Sequence, residues 1–313
     1  MLNFYHRMRF FLPSASRQNV SVAFATEKLD VWFAFLQLIT AMQVRINKQQ
    51  FEGGVPAHWS AASALQSHVL NTLSLMFPDG ERFFVRSVKY FSDRASDDKM
   101  RAEIKAFIGQ EMQHGAAHDR FNAAIRPGLA DMGWFMYLFT VPTFQGLEPW
   151  VHKLDFGMEF GRVGALSVTA AAENMTAGFA NMVFEDKELQ TAVREDIRDL
   201  FMWHAAEEIE HRDLAFDLLK KVNGAYWVRM FGATVAYSII FAYVVAGTAW
   251  FMLNDKNYPW AKLPGDLVKI FTDKFGLGRL FFEGFVDYAR PDFHPSDVPA
   301  HPQAAQYLEK MAS

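Results

Sequence analysis

Residues 200–217 read LFMWHAAEEIEHRDLAFD, and this stretch decides how the rest of the chain is interpreted. Within it, His204, Glu208 and His211 have the spacing that places three side chains on one face of a helix. Apolar residues surround them, so this face is predicted to be buried. Two imidazoles and a carboxylate are costly to bury unless a partner compensates them. A metal ion is such a partner, and this ligand set suits zinc, manganese or iron.

The chain contains Glu-x-x-His twice, and a single Glu precedes each copy by one predicted helix. One such pair is weak evidence, because the chain has 35 acidic residues and 10 His and the spacing also arises by chance. The order of the two copies is more specific, because it matches the inward-facing ligands of a four-helix, two-metal carboxylate bundle. The six residues are Glu81, Glu111, His114, Glu173, Glu208 and His211.

Charge supports this interpretation, because four buried carboxylates balance two divalent ions, whereas without metal several would take up protons. His204 adds a third imidazole, so the two metal positions are predicted to be unequal. His118 lies on the ligand face of its own helix and is interpreted as a core group or a support for a ligand. Glu207 and Gln110 each directly precede a ligand Glu. They either orient ligand histidines on the neighbouring helix or lie in solvent.

The fold is predicted to be all-α, because no stretch shows sustained strand alternation. A two-metal helical bundle is assigned to residues 58–224, and the sequence Phe77-Pro78-Asp79-Gly80 within it is interpreted as a break or kink. Residues 129–150 are expected to be irregular. Bundle helices are predicted over 60–76, 81–91, 96–125, 151–184 and 188–222.

Two flanking segments are expected to differ from the bundle. Residues 1–57 form an N-terminal extension of unclear structure, with helical spacing over 29–46. Residues 257–313 are Pro-rich and are predicted to be an irregular segment that packs on the bundle.

Residues 225–256 are predicted to form one long hydrophobic helix. Met230 to Leu253 contains no charged residue and is long enough to span a bilayer. Three settings remain open for it: a helix that covers the bundle, a membrane span, and a helix that docks in the plane of a membrane.

Composition limits the function classes. A net charge of −4 argues against nucleic acid as a partner. The absence of Cys excludes disulfides, thiolate metal sites and a Cys nucleophile, and it fits a reducing compartment. The first 13 residues lack the apolar run of a signal peptide. We therefore expect a cytoplasmic location, with association with the inner face of the membrane as an open alternative.

On these residues the chain resembles the ferritin-like di-iron carboxylate proteins, which implies a four-helix bundle with extra helices. Its His-x-x-x-Glu-x-x-His arrangement is similar to the seven-ligand variant in di-iron N-oxygenases of the p-aminobenzoate type. Phe77-Pro78-x-Gly80-Glu81-x-Phe83-Phe84 and Arg290-Pro291-Asp292-Phe293-His294-Pro295 resemble a bacterial family called predicted metal-dependent hydrolase. That resemblance runs roughly over residues 55–300. It implies seven ligands, namely Glu81, Glu111, His114, Glu173, His204, Glu208 and His211.

These expectations lead first to a non-haem di-iron oxidase or oxygenase that uses O₂, with manganese or a mixed-metal centre as alternatives. No catalytic side chain beyond the ligands is expected. The Phe-rich core and the uncharged helix favour a small hydrophobic substrate, such as a fatty acyl chain, a sterol or an aromatic amine. A homodimer and an electron-donor protein are open as partners. Two other functions remain open: a two-metal hydrolase of esters or phosphates, and a non-catalytic metal-binding or iron-storage bundle.

Overall fold

The structure is a computed structural model that describes residues 42–60, 62–129, 131–153, 159–272 and 276–312. The chain divides into two compact units, Met1–Met42 and Gln43–Ser313. The first unit lies almost wholly outside the described residues, and so does most of the helix predicted over 29–46. The described part of that range, residues 42–46, is not helical.

The described residues form helices and no strands, which confirms the all-α prediction. The α-helices are α1 (Ala64–Tyr90), α2 (Asp98–Ile125), α3 (Met132–Thr140), α4 (Glu148–Lys153), α5 (Phe160–Glu185), α6 (Lys187–Ala192), α7 (Glu195–His211), α8 (Leu214–Val222), α9 (Tyr226–Asn254), α10 (Leu263–Thr272), α11 (Gly284–Tyr288) and α12 (Pro302–Ala312). Two π-helical segments, Val141–Leu147 and Arg279–Glu283, lie between them, and short 3₁₀ turns are formed by Ser92–Arg94, Arg126–Gly128, Trp260–Lys262 and Pro295–Asp297.

Four helices frame the core. α1 packs against α2, α2 against α7, α7 against α5, and α5 against α1, which closes a ring. Leu70, Phe107, Leu166, Leu200 and Trp203 are completely buried inside it. Burying an aliphatic or aromatic side chain of this kind stabilises the fold by roughly 1.5–3 kcal/mol, so packing rather than intrinsic propensity holds the four helices in place.

α1 runs unbroken through Pro78, so residues 77–80 do not break the helix, and the alternative of a kink stays a prediction. Pro78 cannot donate to the carbonyl of Ser74, four residues earlier, and such a loss normally breaks a helix. Here Asn122 Nδ2 on α2 donates to that carbonyl at 2.9 Å and replaces the missing bond. The helix begins at Ala64 with Ser63 as its cap, rather than at Ser60. Likewise, α2 begins at Asp98 with Asp97 as its cap, rather than at residue 96.

α9 contains the whole uncharged stretch and is, among the described residues, the helix long and apolar enough to cross a membrane. A third of its most apolar window is buried, because one face packs on α5 and α1. Gly232 permits this packing, since a Cβ there would collide with the backbone and hydroxyl of Ser167. The opposite face exposes Trp227, Val245 and Leu253. α9 is therefore a partly covered surface helix.

Three predictions about where helices continue and where they are absent are wrong. The helix predicted over 188–222 is divided into α6, α7 and α8, with extended backbone at Val193 and Arg194. Residues 129–150, expected to be irregular, contain α3, the first π-helical segment and the start of α4. Residues 257–313 contain α10, α11 and α12. The prolines were misleading there, because Pro264 and Pro302 lie in first turns, where no backbone donor is required.

Candidate metal centre

The structure brings all seven predicted ligands together inside the ring. α1 carries Glu81, α2 carries Glu111 and His114, α5 carries Glu173, and α7 carries His204, Glu208 and His211. Each of the seven residues is at most 4% exposed. The interruptions on either side of α7 leave the three α7 ligands on one continuous helix, so the spacing that suggested a shared face is retained.

The two Glu-x-x-His pairs lie face to face. Glu111, His114, Glu208 and His211 each offer a ligand atom within 4.8 Å of the others. Glu111 Oε1 lies 3.3 Å from His114 Nδ1 and 3.2 Å from His211 Nε2. Glu208 Oε1 lies 3.6 Å from His114 Nδ1. Both carboxylates therefore lie close to imidazoles of the opposite pair, where they could help to hold metal ions.

A second group shares His114 with the first. Glu81, His114 and His204 also offer ligand atoms within 4.8 Å of one another. His204 Nε2 lies 3.7 Å from Glu81 Oε1 and 2.8 Å from Glu208 Oε1. The third imidazole, although it comes from α7, therefore lies beside the carboxylate of α1.

Glu173 lies on the other side of the cluster, with Oε2 3.0 Å from His211 Nδ1. His204 therefore lies on the side of Glu81, His211 lies on the side of Glu173, and His114 belongs to both groups. That two metal positions would be unequal stays a prediction.

Unpaired acceptors show that these residues fit a cationic group. Among the described residues, no hydrogen bond is made by either carboxylate oxygen of Glu81, Glu111 or Glu173. Leaving such groups buried and unsatisfied is expensive. Two divalent ions would compensate both the negative charge and the missing bonds, and a carboxylate–imidazole donor set suits iron, manganese or zinc.

The pKa values of the buried carboxylates lead to the same conclusion. Burial raises the pKa of Glu173 to about 8, and burial together with the charge of Glu111 raises the pKa of Glu81 well above its usual value. Burial would also raise the pKa of Glu208, but the charges of His211 and His114 lower it to about 2. Without metal, protons must therefore occupy part of the cluster.

Glu207 contacts His114, a predicted ligand. This agrees with the first of the two alternatives predicted for Glu207. Its Oε2 lies 3.0 Å from His114 Nε2, which leaves His114 Nδ1 directed at the ligand carboxylates. Arg45, which the sequence analysis missed, donates to Glu207 Oε1 at 3.1 Å and also to Glu210. Nothing in the sequence connects Arg45 with residues so distant along the chain.

Gln110 does not contact a ligand histidine in the way we suggested. Its amide donates to Glu210 Oε2 at 2.7 Å and to the carbonyl of Gln43 at 2.8 Å. Gln110 is completely buried, so it is not a solvated residue either. Its contacts instead tie α2 to the segment that carries Arg45.

His118 supports His204 through a chain of hydrogen bonds. Asn122 Nδ2 donates to the Ser74 carbonyl, so Asn122 Oδ1 accepts from the Ser74 hydroxyl at 2.7 Å. Ser74 Oγ must then accept from His118 Nδ1 at 2.8 Å, which leaves His118 Nε2 as an acceptor. His204 Nδ1 donates to that acceptor at 2.7 Å. His204 Nε2 is consequently unprotonated and faces Glu208, which is the form that binds a metal.

Gly115 makes room for Glu81. A Cβ at this position would lie 3.0 Å from Glu81 Oε2 and 3.6 Å from Pro78 Cα. The sequence offers a weak signal for this role, because a glycine directly follows ligand His114 within a helix.

A large apolar cavity reaches the cluster from the side of Glu81. It has a volume of about 410 Å³, and Glu81 forms part of its wall. Exposed residues, among them Trp150, Phe160 and Phe231, also line it, so it opens at the surface. Other lining side chains are Phe84, Phe144, Met175, Val235 and Ile239.

The fold and the site define a helical protein with a buried carboxylate–histidine cluster able to hold metal ions. The model of a family described as predicted metal-dependent hydrolase matches residues 43–298, and the chain belongs to that family. This confirms the resemblance to the family that the motifs indicated. No curated protein and no solved structure matches the chain.

Proposed function

We propose that the protein is a two-metal hydrolase of esters that carry a long apolar group. The observation that supports this proposal is the cavity of about 410 Å³, because its wall includes both apolar side chains and the ligand Glu81. Pockets of this size accommodate typical small-molecule ligands. The description of the family also favours hydrolysis over the oxidation that we expected first.

Each part of the chain has a role in this proposal. Phe84, Phe144 and Ile239 bind the apolar group and exclude water from it. Glu207 and His118 hold His114 and His204 in the orientation that binds metal. When bound, two divalent ions would supply Lewis-acid activation of water and of the ester carbonyl, or, as ferrous ions, electrons for O₂. Water would add to the ester carbon, the carbon–oxygen bond would break, and the alcohol would leave with a proton.

Oxidation of a hydrophobic substrate by O₂ is the second candidate, and the ligand set favours it. Four carboxylates and three imidazoles on four helices correspond to a ferritin-like di-iron centre. This reaction would require iron and an electron-donor protein that returns electrons to the centre after each turnover.

The two candidates are separated by loading metal-free protein with Zn²⁺, Mn²⁺ or, anaerobically, Fe²⁺. We expect p-nitrophenyl esters to be cleaved without O₂, at a rate that rises with acyl chain length. Ile239→Trp should suppress cleavage of long esters more than short ones, because Ile239 lines the cavity. Val245→Trp, on the exposed face of the same helix, is the matched control. Rapid O₂ consumption with Fe²⁺ and no esterase activity with any metal would favour the second candidate.

We also propose that α9 docks in the plane of a membrane. Its exposed face carries Trp227 and Val245, and neighbouring α3 exposes Trp134 and Tyr137. Tryptophan and tyrosine favour the boundary between lipid and water. Since one face of α9 packs on α5 and α1, in-plane docking fits better than a span.

Flotation of the purified chain with phosphatidylcholine–phosphatidylglycerol vesicles tests this part. We expect the wild-type protein to float and the double variant Trp227→Glu/Val245→Glu to remain at the bottom. Met112→Glu changes an exposed apolar residue of α2 and is the control that should still float. Equal flotation of the wild type and the double variant would contradict docking through α9.

A further inference from the structure

Outside the buried centre, His58, His68 and Asp255 converge from three separate parts of the fold. His58 precedes α1, His68 lies in its second turn, and Asp255 directly follows α9. Their ligand atoms lie within 4.8 Å of one another. His68 Nε2 is 3.0 Å from Asp255 Oδ2, and His58 Nε2 contacts the same oxygen closely. The other oxygen, Asp255 Oδ1, accepts from the backbone of Asn257, which orients the carboxylate.

This cluster is separate from the two-metal centre. His68 and Glu81 both lie on α1, thirteen positions apart. At a rise of 1.5 Å per residue, that spacing corresponds to about 20 Å along the helix axis. None of the seven buried ligands belongs to the group formed by His58, His68 and Asp255.

The surrounding structure holds the two imidazoles in place. On one side of His58, the carbonyl of Ala57 accepts from Asn71 Nδ2 at 3.2 Å. On the other side, the indole of Trp59 donates to Asn71 Oδ1 at 2.7 Å. One asparagine of α1 therefore fastens both neighbours of His58 and limits the positions that its ring can adopt.

The ring of His68 stacks against two aromatic rings. Phe251 lies 6.4 Å from it at an interplanar angle of 24°, and Tyr258 lies 5.9 Å from it at 27°. His68 is completely buried, whereas the side chains of His58 and Asp255 are 30% and 12% exposed. An ion can therefore enter from solvent, and water can occupy the remaining coordination positions.

The electrostatics favour a cation. Asp255 caps α9, whose last backbone carbonyls create a partial negative charge at this end of the helix. Burial lowers the pKa of His68, which keeps its imidazole neutral and able to bind metal at pH 7. Burial would raise the pKa of Asp255, but its contacts with His58 and His68 lower it, so the carboxylate is ionised.

We propose that His58, His68 and Asp255 form a mononuclear site for a divalent transition-metal ion of the zinc type. Two imidazole nitrogens and one carboxylate oxygen are a common set of three protein ligands for such an ion, with water completing the coordination. The ion fastens the C-terminal end of α9 to α1 and to the segment before it. It thereby stabilises the position of the hydrophobic helix on the bundle, independently of the reaction at the buried centre.

The test uses the full chain, stripped with a chelator, reloaded with Zn²⁺ and dialysed. We expect His58→Ala to contain one zinc ion fewer per chain than the wild type. His152→Ala, a half-buried histidine on α4, is the matched control and should keep the wild-type zinc content. Asp255→Asn is a second variant of nearly unchanged volume and should also lose one zinc ion.

Thermal unfolding distinguishes a metal site from a set of hydrogen bonds. Zn²⁺ should raise the Tm of the wild type more than that of His58→Ala or Asp255→Asn. The proposal is overturned if wild type and both variants retain the same number of zinc ions. It is equally overturned if each substitution lowers the Tm by the same amount with and without zinc, since the three side chains would then act only by hydrogen bonding.

Discussion

His118 Nε2 lies 2.7 Å from His204 Nδ1 and is the acceptor that leaves His204 Nε2 free for a metal. That free nitrogen lies 2.8 Å from Glu208 Oε1. Two acceptors at this distance repel each other unless a cation or a proton lies between them. His118, a buried and uncharged histidine, therefore affects metal binding at a site where it is not itself a ligand.

Replacing His118 should weaken metal binding without changing the ligands. In His118→Ala, His204 loses its acceptor and can adopt the tautomer that cannot bind metal through Nε2. We expect the affinity for one of the two ions to fall roughly 10- to 100-fold. The measurement is metal content and competitive chelation, with circular dichroism to check folding. His118→Gln places an amide oxygen near the position of Nε2 and should restore part of the affinity. Wild-type affinity in His118→Ala would contradict the proposed chain of hydrogen bonds.

Glu207 supports the other half of the centre. Glu207→Gln keeps an acceptor for His114 Nε2 but removes the negative charge that makes the imidazole a stronger ligand. We expect metal binding about tenfold weaker than in the wild type. Glu210→Gln is the matched control, because Glu210 also pairs with Arg45 and its partners among the described residues are Arg45 and Gln110. Equal losses in both variants would assign the effect to Arg45 rather than to His114.

The members of the buried cluster could be picked out from sequence because they follow a rule of local spacing. Glu111, His114, Glu208 and His211 are at helical intervals, and the order of the two pairs indicated one shared site. Their supports could not be predicted in the same way. Arg45 contacts Glu207 across 162 positions, and only tertiary packing brings them together.

Helix boundaries were also difficult to predict from local sequence. Pro78 normally ends a helix, and its tolerance depends on Asn122 of a different helix, which no local pattern reveals. The prolines of the C-terminal segment were interpreted as signs of irregular structure, although two of them lie in the first turn of a helix. The cavity was also unpredictable, because its lining residues come from several helices that only the fold brings together.

Gly115 provides a steric test of the position of Glu81. In Gly115→Ala the new Cβ would lie 3.0 Å from Glu81 Oε2, so the carboxylate has to shift by a few tenths of an ångström. We expect about tenfold weaker binding of one metal ion, measured by chelator competition. Gly80→Ala is the matched control on α1, since a Cβ there would meet nothing within 4 Å. This control should bind metal normally and be stabilised by about 0.5–1 kcal/mol. Normal metal binding in Gly115→Ala would contradict the expectation that this contact fixes the position of Glu81 at the metal.

The stability of the metal-free protein should fall as the pH rises from roughly 6 to 9. Burial raises the pKa of Glu173 to about 8 and also raises that of Glu81. Burial would lower the pKa of His114 and His211, but the neighbouring carboxylates raise both. All four groups therefore bind more protons in the folded than in the unfolded chain. Their contribution to stability is complete below the unfolded pKa values and is lost as the pH approaches the folded ones.

Bound metal should remove most of this pH dependence. The ions displace the protons and compensate the carboxylates directly, so the Tm gained on metal binding should increase with pH. Glu208 does not oppose the trend, because its lowered pKa of about 2 contributes stability that is lost only in acid. Calorimetry of metal-free and metal-loaded protein checks this, and we expect their Tm values to diverge by at least about 5 °C over this range. Parallel curves for the two forms would mean that metal does not bind at these carboxylates.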